Sequence, residues 1–264
     1  MRISIITVCY NSSLHLASTI ESVLSQSYPD IEYIIVDGGS TDGTIEIIKN
    51  NFQLSTLSQV DSHKFEFNFQ LISEPDKGMY DAMNKGIRMA SGDIIGILNS
   101  DDFYNYPDCI EKIAQVFQDK SVDSCFADVR FVNPDNLEKT VRYYSSAKFR
   151  PNKFRFGYMP AHPTFFARKK CFEQLGYYQT DYKIAADFEL LTRFLYTHKI
   201  NYQYLPLDMI KMRTGGMSTK NWKSNYILNK EIIRGCKENG IYTNLFILSL
   251  KYFVKIFEFI KTKN

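Results

Sequence analysis

Long uncharged apolar stretches are missing from this chain. None reaches the about 20 residues that a membrane-spanning helix requires, so no clear span is expected. CxxC spacing is also missing, and the five cysteines (Cys9, Cys109, Cys125, Cys171 and Cys236) are odd in number. That argues against a disulfide framework and against a zinc site, and it suits a reducing, cytoplasmic compartment. Neither GxxxxGK[ST] nor GxGxxG occurs, so an NTPase phosphate loop and an NAD site lack support. Basic residues form no block over the first 220 positions and the net charge is only +3, so nucleic acid is not an expected partner. No secretory leader is expected, because the first apolar run leads straight into a turn. Internal repeats and low-complexity tracts are lacking as well.

What is present describes an ordinary globular chain. Its 264 residues suit one compact domain, or one large domain with a small appendage. Aromatic residues are plentiful, with 18 Tyr and 20 Phe. Such rings build cores, and they also line sugar sites and membrane interfaces.

The first 120 residues alternate strand and helix patterns. Apolar runs at 2–8, 31–36, 69–73 and 93–98 read as strands. Helical spacing follows each of them: Leu16, Ile20, Val23 and Leu24; a short helix over 42–50; Met79, Ala82, Met83, Gly86, Ile87 and Ala90; then Ile110, Ile113, Ala114 and Phe117. Asn11, Ser12 and Ser13 offer an N-cap to the first helix, and Asp108 with Glu111 forms a capping-box pattern for the fourth. Residues 51–68 read as a polar connection. The fold class is therefore α/β, with a mainly parallel central sheet and helices on both faces. Beyond 120, strands are expected at 122–132, 139–144 and 164–168, the first two joined by Asn133-Pro134-Asp135-Asn136. Residues 145–163 read as loop, and Asp187 opens a helix carrying Phe188, Leu191 and Leu195.

In such sheets ligands bind at the carboxyl ends of the strands, and three polar clusters follow a strand directly, at Asp37, Asp76 and Asp101. Asn99-Ser100-Asp101-Asp102 suits Mg or Mn, which takes oxygen ligands and completes its shell with phosphate and water. The plainer reading is a turn in which aspartates cap the next segment. Asp37 precedes Gly38-Gly39-Ser40-Thr41-Asp42-Gly43, where glycines allow close backbone approach and a carboxylate accepts from a ribose or a base; a glycine-rich turn is the equal alternative. Asp187, among apolar neighbours, suits a general base of raised proton affinity, or simply a helix N-cap.

Together these segments resemble family 2 glycosyltransferases of the GT-A fold. The matching stretches are Ser4 to Asn11, Val36 to Thr44, Glu74 to Gly86 and Gly92 to Asp102, in the family's order and spacing. The resemblance implies that Asp37 contacts the donor nucleoside near Thr7 and Tyr10. It implies that Asp76 and Lys77 sit beside the base or diphosphate, and that Asn99-Ser100-Asp101 replaces the DxD motif. Asp101 would then hold the metal, Mn or Mg, with Asp102 close by. It places the catalytic base at Asp187 and a flexible Gly-Gly loop at Arg213 to Ser218, with Gly216 near the diphosphate. His162, in Pro160-Ala161-His162-Pro163-Thr164, matches a His-containing stretch of related transferases; a structural histidine is the plainer reading. Asn99 departs from the family, since Asn still binds a ribose hydroxyl but is a weaker metal ligand. The Gln-x-x-Arg-Trp motif of processive synthases is absent, which implies one sugar per event.

The expected activity is inverting transfer of one sugar from a nucleotide-sugar donor. UDP is the default nucleotide, with GDP and dTDP as alternatives. The acceptor is a hydroxyl of a glycan or polyprenyl-linked glycan in surface-polysaccharide assembly (O-antigen, capsule or exopolysaccharide). The expected division is a transferase domain over 1–220, with a donor half at 1–120 and an acceptor and base half at 121–220, followed by a helical segment at 221–264. Within 241–261, Lys251, Lys255 and Glu258 share one helical face and the rest is aromatic or aliphatic. That pattern suits an interfacial helix on the inner face of the cytoplasmic membrane. Packing on the catalytic domain, or a homodimer interface, is the alternative. Two other classes compete: a sugar nucleotidyltransferase, which would carry a glycine-rich Arg loop where Tyr10 to Ser13 stand, and a non-catalytic nucleotide-sugar binding protein.

Overall fold

The computed structural model describes residues 1–57, 68–215 and 222–250. β1 (Ile3–Cys9) and β2 (Ile31–Asp37) are buried along their whole length. Strands covered on both faces read as unbroken apolar runs, and these do. Ile6, Val8, Ile34 and Val36 pack toward α3 (Met79–Met89). Ile3, Ile5, Tyr33 and Ile35 pack toward α1 (Leu16–Leu24) and α4 (Cys109–Val116) on the other face.

β3 (Asn68–Ser73) and β4 (Ile94–Ile97) complete the parallel group β3-β2-β1-β4. Beside β4 lies β8 (Phe166–Arg168), antiparallel to it and to β6 (Ser124–Asn133). Gly96 allows that pairing, because a Cβ there would fall 2.2 Å from the Phe166 ring. β9 (Tyr202–Arg213) runs parallel to β6, and β5 (Asp102–Tyr104) pairs antiparallel with β9. β7 (Asn136–Tyr144) returns from β6 at the expected Asn133–Asn136 turn. The full order is β3-β2-β1-β4-β8-β6-β9-β5, with β7 on β6. The sheet is mostly parallel, with helices on both faces, as the strand–helix alternation predicted.

Several local expectations are corrected. α2 (Thr44–Leu57) extends into the supposed connection, because Phe52 stacks on Phe69 at 3.4 Å and tilts against Tyr33. Asn11, Ser12 and Ser13 do not cap α1, whose N-cap is His15. Asp108 precedes α4 but makes no capping bond; it pairs with Lys112, while Glu111 accepts from Ser27 Oγ. β5 and β9 have no counterpart in the sequence reading. In β9 the alternation loses phase, since Tyr204 pairs with Phe126 but Asp208 with Asp128, leaving three residues opposite one.

The second half wraps this sheet with α5 (Lys169–Leu175), α6 (Ala186–Thr192) and α7 (Trp222–Glu238). Ile232, Cys236, Ile241 and Leu248 join the same buried cluster as Phe188 and Leu191, so the described part of the C-terminal segment packs on the body. A helix starts at 245 and runs to 250; the rest of the expected interfacial stretch lies outside the described residues. Among the described residues, no helix is long and apolar enough to cross a membrane.

Candidate active site

The four parallel strands end on one side, and their following loops meet there. The loop after β1 is laced to the loop after β2. Asn11 N donates to Ser40 Oγ (2.8 Å), Ser12 N to Thr44 Oγ1 (2.8 Å), and Ser13 N to Asp42 Oδ2 (3.0 Å); Thr41 N donates back to Asn11 Oδ1 (3.0 Å). The residues expected to cap a helix thus fix one wall of the cleft.

Asp37 organises this wall from inside. Its carboxylate is fully buried and accepts from Gly39 N, Ser40 N, Ser40 Oγ and Ser73 Oγ. Burial alone would raise its pKa, but the Ser40, Ser73 and backbone hydrogen bonds outweigh burial and bring it below the usual carboxylate value. Protein donors thus occupy the oxygens of Asp37, which holds the wall from within at the strand end where the nucleoside contact is expected. Thr7 also faces inward. Its side chain is fully buried and accepts from Tyr33 OH at 3.1 Å.

Tyr10, Gly38 and Asp76 are what the cleft presents instead. The Tyr10 ring is 64% exposed at the end of β1. A Cβ on Gly38 would lie 2.6 Å from Asp76 Oδ2 and 3.3 Å from Tyr10 Cδ2, so these three come together across the β1, β2 and β3 ends. Asp76 Oδ1 accepts the Gly78 N–H (2.7 Å), which fixes the carboxylate. Gly38→Ala should push the flexible Asp76 carboxylate aside while sparing the fold. We expect nucleotide affinity to fall about tenfold, equivalent to about 1.4 kcal/mol, with the ligand-free melting temperature nearly unchanged. Calorimetric titration with UDP checks this. Lys77 is exposed, with its N–H on Asp81 Oδ2, and it lines a cavity of about 370 Å³ shared with Tyr80, Thr180 and Lys183.

After β4 comes the acidic cluster. Asp101 is partly exposed, and no described residue hydrogen-bonds its carboxylate. Asp102 turns inward instead, fully buried in β5, and accepts from Asn99 Nδ2 at 3.1 Å. Burial, then the neighbouring Asp101 charge, push its carboxyl well above the usual range. The other Asn99 atom, Oδ1, is buried without a partner among the described residues. Buried acceptors are rarely left unpaired, and their exceptions call for a ligand, an ion or a water. Arg213, unassigned by the sequence reading beyond its loop, braces this turn. It donates to Asp101 O (2.5 Å) and Ser18 Oγ (2.8 Å), and it lies 4.8 Å over the Phe103 ring. No cluster of three metal-ligating side chains exists among the described residues, so a divalent ion here would draw on Asp101, phosphate oxygens and water. Gly216 lies outside the described residues; Gly215 before it has φ +111°.

Asp187 sits at the second position of α6, whose N-cap is Ala185. The capping explanation for this residue is thereby corrected. Glu231 of α7 takes the N–H groups of Lys183, Ile184 and Ala185 at 2.8–2.9 Å, so it secures the helix start. Among the described residues, the Asp187 carboxylate accepts the next backbone N–H, that of Phe188 (2.8 Å). Burial raises its pKa, with nearby His162 acting in the opposite direction. His162 is 6% exposed and its Nε2 lies 2.7 Å from Tyr178 OH. Glu231 and Tyr178 had no signal in the sequence, since their roles depend on contacts far along the chain.

A curled, mostly parallel sheet whose strand ends gather carboxylates into one cleft is the GT-A glycosyltransferase architecture. The chain belongs to Glycosyl transferase family 2, whose family model matches residues 4–176. An uncharacterized glycosyltransferase of Mycobacterium tuberculosis is 31% identical over 194 residues, covering 72% of this chain and 68% of that protein. A PGL/p-HBAD biosynthesis glycosyltransferase of Mycobacterium bovis is 25% identical over 233 residues, covering 88% and 82%. Among solved structures, S. aureus TarS 1–349 in complex with UDP-GlcNAc matches with a TM-score of 0.67 at 17% identity, over 89% of this chain and 66% of that one. Mannosyltransferase PcManGT from Pyrobaculum calidifontis, in complex with GDP-Man and Mn2+, matches at 0.66 and 17%, over 90% and 63%. This chain spans less than two thirds of those two solved chains, and at that identity the likeness speaks for the fold.

Proposed function

We propose that this glycosyltransferase moves one sugar, with inversion, from a UDP-sugar to a hydroxyl of a glycan or lipid-linked glycan in surface-polysaccharide assembly. The observation that carries the reading is the meeting of Tyr10, Gly38 and Asp76, with the Asp101 turn following β4, the strand beside β1, and joined to the β1 loop through Ser12 and Ser100 (3.0 Å). Tyr10 offers a face for the base, and Asp76 accepts a base N–H. Lys77 lies close enough in sequence to Asp76 to serve the diphosphate. The unpartnered Asn99 Oδ1 suits a ribose hydroxyl. Asp101 would hold Mn or Mg, and the bound ion would supply Lewis-acid relief of charge on the departing diphosphate.

Asp187 holds the proton chemistry. Its carboxylate lacks a side-chain partner among the described residues, and burial raises its proton affinity. A base of that kind takes the acceptor hydroxyl's proton as the oxygen attacks the anomeric carbon opposite the leaving group, and attack from that side inverts the configuration.

The C-terminal segment supports peripheral membrane contact at the cytoplasmic face. Ile241 and Leu248 are buried, whereas Tyr242, Leu245 and Phe246 are exposed at 73%, 56% and 74%. Neighbouring exposed apolar side chains of this kind suit a lipid interface.

Thermal stabilisation by UDP, GDP and dTDP, each with Mn and with EDTA, tests the donor reading. At a ligand concentration 100 times its Kd the folded state gains about 2.7 kcal/mol. A shift of several degrees with UDP and Mn, lost with EDTA, is the expected result. A shift with GDP or dTDP alone would reassign the donor, and none with any nucleotide would remove the donor site.

A further inference from the structure

The stretch of chain just before Asp187 is held by one face of a helix distant in sequence. Glu231, Arg234 and Glu238 of α7 follow one another at helical spacing and share that face. Each takes hold of a different part of the stretch. Arg234 Nη2 donates to Asp181 Oδ2 (2.5 Å), and its guanidinium lies 4.2 Å from the Tyr182 ring centroid. Glu238 Oε2 accepts from Tyr182 OH (2.6 Å). Glu231 takes successive backbone N–H groups, that of Lys183 on Oε1 (2.8 Å) and those of Ile184 and Ala185 on Oε2 (2.9 Å each). The peptide units around Ile184 are held by a second helix as well, since the Ile184 carbonyl accepts from Tyr80 OH of α3 (2.5 Å).

This polar grip is an addition to an apolar seat. Ile232 and Cys236 of α7 are buried in the same cluster as Phe188 and Leu191 of α6, and Cys236 Sγ reaches Phe154 O at 3.6 Å. α7 therefore has its own reasons to dock. What the Glu231 carboxylate adds is the shape of residues 183–185. Successive N–H groups that point at one spot form a concave, anion-binding backbone, and bonds from them to a carboxylate are stronger than neutral ones.

α6 has only seven residues, and its N-cap Ala185 offers no side-chain cap. So short a helix is not stable by itself, and what grips its start decides where it sits. Asp187 is its second residue, with a short side chain, so the carboxylate goes where the first turn goes. We propose that Glu231 is a positioning residue for Asp187. It fixes the backbone of 183–185, and with it the first turn of α6, so that the base stands within reach of the acceptor hydroxyl. Tyr80 supports the same stretch from α3, the helix that begins immediately after Asp76, Lys77 and Gly78. The inference rests on the reading of Asp187 as the base. It gives a role in catalysis to a helix beyond residues 4–176, the stretch matched by the family model.

Proton transfer to a base needs heavy atoms about 2.6–3.2 Å apart, and a misplacement of about 1 Å caused from a distance can cost about 10²-fold in rate. Tyr10, Gly38, Asp76 and Asp101 follow β1 to β4 and do not touch α7, so nucleotide binding should be spared.

The test has two arms, both on the full chain. The first needs no substrate. In crystals of Glu231→Ala the Asp187 carboxylate should stand about 1 Å or more from its parental place, relative to β1–β4, or occupy several places. Glu231→Gln, whose amide oxygen can still take the Ile184 and Ala185 N–H groups, should show a smaller displacement and covers the case in which Glu231→Ala fails to fold. An Asp187 carboxylate that superposes on the parent in the folded variants would overturn the proposal. The second arm is a double-substitution cycle, read as UDP released from a panel of UDP-sugars with water in place of the acceptor. Rates are compared at alkaline pH, where Asp187 is ionised in every variant that retains it. Glu231→Ala should lower kcat by about 10- to 100-fold and leave the calorimetric Kd for UDP unchanged. In an Asp187→Asn background the same substitution should cost nothing further, because the group it places is already gone. An equal fall in both backgrounds would show a merely structural glutamate and would overturn the proposal. Parental turnover in Asp187→Asn alone would instead remove the base reading, while the displacement seen in the first arm would stand.

Discussion

Asp187→Asn is expected to lower sugar transfer by about 10²–10⁴-fold, the usual contribution of a positioned base, while UDP binding persists. The substitution is nearly isosteric. Its amide oxygen can still accept the Phe188 N–H, the one hydrogen bond that the carboxylate makes with a described residue. The helix start is independent of it, because Glu231 holds the N–H groups of residues 183–185. Stability and the donor cleft should therefore survive, and the loss should fall on kcat. In the parent enzyme the raised pKa of Asp187 has a consequence of definite sign. The base must be ionised to act, so kcat/KM should fall as pH drops through a value above the ordinary carboxylate range. Single-turnover transfer measured across pH checks both statements. Full activity in Asp187→Asn would end the assignment.

Asp101→Ala should abolish the metal-dependent part of the nucleotide's thermal stabilisation. Among the described residues no third metal-ligating side chain stands ready to substitute, so the ion loses its protein anchor. Asp102 cannot take over without leaving its buried bond to Asn99. The ligand-free melting temperature should change little, since the Asp101 carboxylate is partly exposed and makes no hydrogen bond within the described residues. Arg213 should still hold the turn, because it binds the backbone oxygen of Asp101. Melting curves with UDP and Mn, against UDP and EDTA, decide the matter. An undiminished Mn effect would move the metal site elsewhere.

The sequence by itself determined the parallel half of the sheet. The apolar runs of β1, β2 and β4 can be satisfied only between two covering layers, and the helical faces that follow them supply the layers. It also placed the acidic clusters at strand ends, since each follows an apolar run directly, and it carried the family resemblance now matched over residues 4–176. Tertiary structure decided which way each carboxylate faces. Asp37 and Asp102 turn inward because Ser40, Ser73 and Asn99 reach them, and those contacts depend on the packing of loops. The same packing leaves Asp76 beside Gly38 and brings His162, Tyr178, Tyr80 and Glu231 near Asp187 from four separate segments. β9 was hidden for a related reason: its apolar phase slips between Tyr204 and Asp208, and only its pairing with β6 and β5 reveals a strand. Periodicity is a local property and survives in the sequence, whereas side-chain direction at a strand end is settled by whichever distant donor arrives there.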